Sequence, residues 1–156
     1  MRKFAIIMLA ILLCCAAMAL TACRDKDLPS GQIRITIGEK SFIAVLSDTK
    51  AAKELEKSLP LKNLKMHFLN NNELYYDIPN KSFVQQVEMD ATFAGDIVLY
   101  GDNRLAMFYD FNNTDNWTKI GKVREEDKTA FVNAVMQAVQ AARDAGKDTI
   151  TVTISK

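Results

Sequence analysis

Residues 94–111, "AGDIVLYGDNRLAMFYDF", bring three aspartates, two tyrosines and one arginine, Arg104, into eighteen positions. Residues of these types serve as acids, bases and cationic clamps when they share a face and sit beside a substrate with shifted pKa values. The apolar residues between them point to another role. "IVLY" and "RLAMFY" are β-prone runs joined by Gly101, Asp102 and Asn103, types that tolerate positive φ in tight hairpin loops. Ile97 and Leu99 oppose Val98 and Tyr100, and Leu105 and Met107 oppose Ala106 and Phe108, so each strand is apolar on both faces. Such strands are expected to be buried on both faces, as the wall of a small barrel with its interior on one side and a helix or long loop on the other. Asp102 then belongs to the turn and Tyr100 to the core.

Other chemical motifs fail on spacing. His67 is the only histidine. Without a second imidazole or a retained cysteine it cannot build a usual zinc site, and no nucleophile or orienting acid is spaced to make it a catalytic base. "GEKS" at 38–41 lacks the earlier glycine and the adjacent Gly-Lys of a phosphate loop. "DFNNTDN" offers oxygens from Asp110, Asn112, Thr114 and Asn116. The glycine and glutamate that an EF-hand loop needs at its sixth and twelfth places are replaced by Asp115 and Gly121. No catalytic residue, metal or cofactor is expected.

The amino-terminal end carries a different kind of chemistry. Arg2 and Lys3 precede an almost unbroken apolar run over 4–20, and "LTAC" sets small residues before Cys23. That is the pattern of a secretory signal. "LTAC" resembles the bacterial lipobox, which implies cleavage before Cys23 and acylation of that cysteine. The apolar run is at the short end for a bilayer core of about 30 Å, and no basic stop follows it. The expected organisation is a lipoprotein signal peptide over 1–22, the lipidated cysteine and a short linker over 23–31, and one domain over 32–156. The expected location is the bacterial cell envelope, with the membrane engaged through lipid at Cys23.

Cys14 and Cys15 lie within the signal, so no disulfide or cysteine metal site is expected in the 134 residues left when 22 are removed from 156. Those residues keep 19 acids against 20 bases less Arg2 and Lys3, with no block of like charge. Neither nucleic acid nor a polybasic membrane contact is expected.

Periodicity supplies the elements. "QIRITIG" alternates Ile33, Ile35 and Ile37 with polar neighbours, and "SFIAVL" follows Gly38, Glu39 and Lys40, as a hairpin. "SDTKAAKELEKSLP" predicts a short helix with Ser47 and Asp48 as cap candidates, a stop at Pro60, and Ala51, Ala52, Leu55 and Leu59 on one face. "LKMHFLNNNELYYDIP" predicts two extended pieces around a turn at 70–72. A second helix follows from Phe131, Val135, Ala138, Val139 and Ala142, with Glu125, Glu126 and Asp127 at its amino end and Gly146 closing it. "DTITVTISK" alternates Ile150, Val152 and Ile154 as a last strand.

In this order the hairpin, the helix ending "SLPL", "FLNNNELYYDIP", "GDIVLYGDNRLAMFY", "WTKIGKV", a helix and a final strand resemble the bacterial cyclophilin-like domain family over 32–154. The resemblance implies a mainly β fold, a closed antiparallel cyclophilin-like β-barrel with two helices capping its ends. Some relatives are attached to flavodoxin-like domains. True cyclophilins carry a Phe-His-Arg motif and a Gln-Gly-Gly segment; here His67 in "KMHFL" has no following arginine, and Gln-Gly-Gly is absent. Fold does not carry function with it. The expected function is therefore a lipid-anchored, noncatalytic binding or interaction module. An altered peptidyl-prolyl isomerase and an accessory to a flavodoxin-like redox partner are the alternatives. Its ligand could be a small molecule, a peptide or an envelope protein. Candidate binding residues are Phe108, Phe111, Trp117, Arg104 and Tyr76. Phe111 and Trp117 flank the polar "NNTDN" and are expected to be partly exposed at a barrel mouth.

Overall fold

A computed structural model describes residues 28–89, 91–113 and 117–156. The expected signal peptide, Cys23 and the linker residues up to 27 lie outside these, as do Thr114 and Asn116. Among the described residues the chain runs β1 (Gln32–Ile37), β2 (Lys40–Leu46), α1 (Lys50–Lys57), β3 (Leu61–Leu69), β4 (Glu73–Asp77), β5 (Val87–Met89), β6 (Asp96–Tyr100), β7 (Arg104–Phe108), β8 (Trp117–Val123), α2 (Glu125–Asp144) and β9 (Thr149–Ser155).

Strands β2-β1-β9-β3-β4-β7-β6-β8 pair in that order, all antiparallel, and β8 returns to β2 to close an eight-stranded barrel. The short β5 lies on β8. Alternation decides what faces inward: Ile33, Ile35 and Ile37 of β1, Ile150, Val152 and Ile154 of β9, and Leu64 and Met66 of β3 all enter one buried core. Asn70 and Asn71 take positive φ of 49° and 59° in the β3–β4 turn, a conformation asparagine tolerates better than most residues.

Each helix closes one end. Glu56 of α1 accepts from Gly31 N at 3.1 Å and pairs with Lys156 at 2.9 Å, so α1 sits where β1 starts and β9 finishes. Phe131 of α2 packs edge-on against Phe42 at 5.6 Å, and Gln137 accepts from Lys40 at 3.3 Å, so α2 sits at the opposite end, beside the β1–β2 turn. The cap of α1 differs from expectation. Ser47 N is committed to Ile120 O at 2.8 Å, and Asp48 pairs with Lys53. Thr49 is the cap instead: its hydroxyl accepts from Ala52 N at 3.2 Å and donates to Lys119 O at 2.9 Å, which ties the helix to β8.

Barrel closure rests on a short seam, Ala44↔Val123, Val45↔Lys122 and Leu46↔Gly121. A Cβ at Gly121 would stand 2.5 Å from Val45 O and 3.1 Å from Leu46 Cα, both backbone atoms that cannot swing away. Gly121→Ala should therefore destabilise the fold by about 1 to 3 kcal/mol, the usual range for forced overpacking. Denaturant titration checks this; an unchanged midpoint would show that the seam can spread at no cost.

Candidate functional site

Strand parity places a group of functional side chains on the outer wall. Leu74 and Tyr76 of β4 pack on the interior core, which turns Glu73, Tyr75 and Asp77 outward. On β7, Leu105 and Met107 face inward, and Arg104, Ala106 and Phe108 face outward. The register sets Asp77 opposite Arg104, Tyr75 opposite Ala106 and Glu73 opposite Phe108. Arg104 Nε and Nη2 donate to the two carboxylate oxygens of Asp77 at 2.7 and 3.0 Å, a fork-on-fork pair. The guanidinium also lies 4.6 Å from the centre of the Tyr75 ring. The hydrogen bonds from Arg104 hold the Asp77 carboxyl below its ordinary value, and Asp77 raises Arg104 in turn.

From this pair an aromatic belt runs both ways. His67 of β3 stacks on Tyr75 at 5.3 Å. On the other side Phe108, Trp117, Val98 and Ala106 form a second buried cluster, with Tyr75 packed against it. Trp117 meets Phe108 edge-on at 5.4 Å and Tyr100 at 4.9 Å. Further along, Phe93 and Phe111 pair at 5.4 Å across a small ladder in which Thr92 and Asn112 exchange backbone hydrogen bonds.

Exposure corrects several expectations. Phe111 is 52% exposed, as a binding residue must be, but Trp117 is only 5% exposed and Phe108 is fully buried. These two are the packing of the outer wall, because the apolar outer faces of β6 and β7 need a cover. Tyr100, expected in the core, is 46% exposed and lies on the tryptophan as its lid. Tyr76 sits on the interior side of β4; its neighbour Tyr75 is the tyrosine beside Arg104.

The three aspartates of the opening stretch turn out to be structural, two of them holding backbone N–H groups and the third a serine hydroxyl. Asp96 accepts from Phe93 N at 2.8 Å, Asp102 accepts from Ser82 Oγ at 3.0 Å, and Asp110 accepts from Phe111 N at 2.8 Å. The carboxylate that sequence reading missed is Glu73. It is 8% exposed, and burial raises its pKa, with Arg104 opposing the rise. A charged residue between a turn and a strand gives no sign of burial until the register places it beside Phe108.

Together these features define a small closed β-barrel protein with an aromatic outer wall around one held arginine. The chain belongs to the cyclophilin-like family, whose model matches residues 35–154. No curated protein matches it. The solved structure of McbB in complex with tryptophan is similar, with a TM-score of 0.50 at 21% identity over 80% of this chain and 44% of that one. The chain thus spans less than half the length of that relative, and the likeness shows the fold alone.

Two outcomes follow from this geometry. Trp117, the only tryptophan, should emit at short wavelength and resist quenchers. Trp117→Ala should cost about 3 to 5 kcal/mol, and Phe111→Ala far less. A red-shifted, quencher-accessible spectrum would contradict the buried wall. For Glu73, the folded protein holds its proton at a pH where the unfolded chain, near 4.5, has released it. Its contribution to stability is complete below that value and is lost as pH rises through the folded pKa. Glu73→Gln should therefore be more stable than the parent at neutral pH and converge with it below about pH 4.5, as read from thermal melts across pH.

Proposed function

We propose that this cyclophilin-like domain is a noncatalytic binding module, held at a bacterial envelope membrane by lipid on Cys23, that grips an extended peptide segment across the wall of β4, β7 and β6. The observation that carries the reading is the state of Arg104. In true cyclophilins the arginine of the Phe-His-Arg motif contacts the bound prolyl peptide; this chain lacks that arginine, and Arg104 is not free to replace it. Here both prongs of the fork are committed to Asp77, and one face of the guanidinium is covered by Tyr75. Arg104 acts as a fixed cation within a surface, which suits recognition better than a transition state. Exposed Tyr100, Phe93 and Phe111 supply the apolar contact that interface hot spots use.

Two experiments test the two halves of this proposal. In an assay with a proline-containing peptide the protein should give no rate above background, which is slow enough, at tens of seconds or more, to leave ample range. A rate proportional to protein concentration would restore the isomerase reading. Screened against an array of envelope-protein peptides, Arg104→Ala and Tyr100→Ala should bind any captured peptide at least about tenfold more weakly, as expected for hot-spot residues. Separately, Cys23→Ala should leave an uncut precursor. A wild-type mature mass without acyl chains would remove the anchor from the proposal.

A further inference from the structure

At the α2 end of the barrel a cavity of about 170 Å³ is lined by Asn71, Tyr109, Met136, Val139, Gln140 and Arg143. That volume equals five or six waters at about 30 Å³ each. Its walls come from three places: the β3–β4 turn, the residue after β7 and the carboxy-terminal half of α2. Two features make it more than a surface dent. Tyr109 is 7% exposed, and its hydroxyl is buried with no hydrogen-bond partner among the described residues. A buried hydroxyl left unsatisfied costs stability that phenylalanine in the same place would not. Arg143 is also steered into position, donating to Asn71 Oδ1 while its guanidinium lies 5.2 Å over the Phe68 ring.

Asn71 takes one of the five N–H groups of Arg143, and because its oxygen is used there, its own amide N–H groups remain to donate. Gln140 is tied to Asp144 through Nε2 at 2.8 Å. Burial raises the pKa of the Tyr109 hydroxyl, the charge of Arg143 lowers it, and those of Glu73 and Asp110 raise it. The polar lining is thus a guanidinium, a hydroxyl and two amides, of which Gln140 is turned to Asp144 while Arg143, Tyr109 and Asn71 are able to donate, beside the apolar Met136 and Val139. We infer that this cavity is a binding site for a small carboxylate bearing a short branched apolar chain. Arg143 and the Tyr109 hydroxyl hold the carboxylate, and Met136 and Val139 receive the chain. A free acid and the carboxy-terminal residue of a peptide both present this chemistry.

The test is a titration of the full chain in detergent, followed by amide NMR, with isobutyrate, its uncharged analogue isobutyramide, inorganic phosphate and an acetylated dipeptide ending in valine. Isobutyrate should give saturable shifts around Asn71, Tyr109 and Arg143, with a dissociation constant on the order of 1 mM for so few atoms. Isobutyramide should bind at least about tenfold more weakly because it loses the charge-assisted pair, and phosphate likewise because it leaves Met136 and Val139 uncovered. Whichever of isobutyrate and the dipeptide binds tighter identifies the source of the carboxylate. Arg143→Gln should abolish the response. Tyr109→Phe should melt no lower than the parent yet bind at least about fivefold more weakly, since it loses a hydroxyl that only the ligand satisfies. The assignment is overturned by the absence of saturable shifts with both acids, by equal binding of isobutyramide or phosphate, or by unaltered affinity in Tyr109→Phe.

Discussion

Strands β6 and β7 must hide apolar side chains on both of their faces, and most of what is particular to this molecule follows from that requirement. Their inner faces are satisfied by closing the sheet into a barrel. Their outer faces, Val98, Ala106 and Phe108, need a second cover, which Trp117 and Tyr75 provide. Together these side chains bury several hundred Å² that would otherwise face water, at about 25 cal/mol per Å² of apolar area. The outer wall is thus a miniature core laid on the sheet. Its rim, Tyr100 above all, is where the molecule meets solvent with aromatic surface.

The same cover conditions the electrostatics. Arg104 lies half-buried against Tyr75, and in that setting a bidentate carboxylate on the neighbouring strand keeps the charge satisfied. Asp77 fulfils that role because the β4–β7 register brings it directly opposite. Glu73, two steps earlier on the same face as Tyr75, falls opposite Phe108 and has only distant help from Arg104, so its carboxyl titrates high. Two acids on one strand face are therefore pushed in opposite directions by what the neighbouring strand presents. That contrast separates a residue that holds the surface from one that the surface disfavours when charged.

Much of the fold was legible because its signals are local. Alternation marked β1, β2 and β9, helical spacing marked α2, and the asparagine and Gly-Asp-Asn turns marked the β3–β4 and β6–β7 hairpins. Two-sided apolarity identified the wall. What escaped depended on partners distant in sequence. Tyr75 and Tyr76 are adjacent, and choosing between them requires knowing which face of β4 is inside. The burial of Phe108 and Trp117 depends on β8 pairing with β6, a contact that no short window contains. The cap at Thr49 was missed because Ser47 is claimed by the β2–β8 seam. Arg143 and Tyr109 meet only once α2 has been laid across the barrel end.

The last strand, β9, lies between β1 and β3, hydrogen-bonded to both. During synthesis, then, the first hairpin and the central strands emerge without the element that joins them, and the sheet has a gap until residues near 155 leave the ribosome. Such long-range closure is slow by nature. Under the export proposed above, this timing is an advantage. A barrel that cannot close early stays unlocked for longer, and an unlocked chain is the form that a translocation channel can pass.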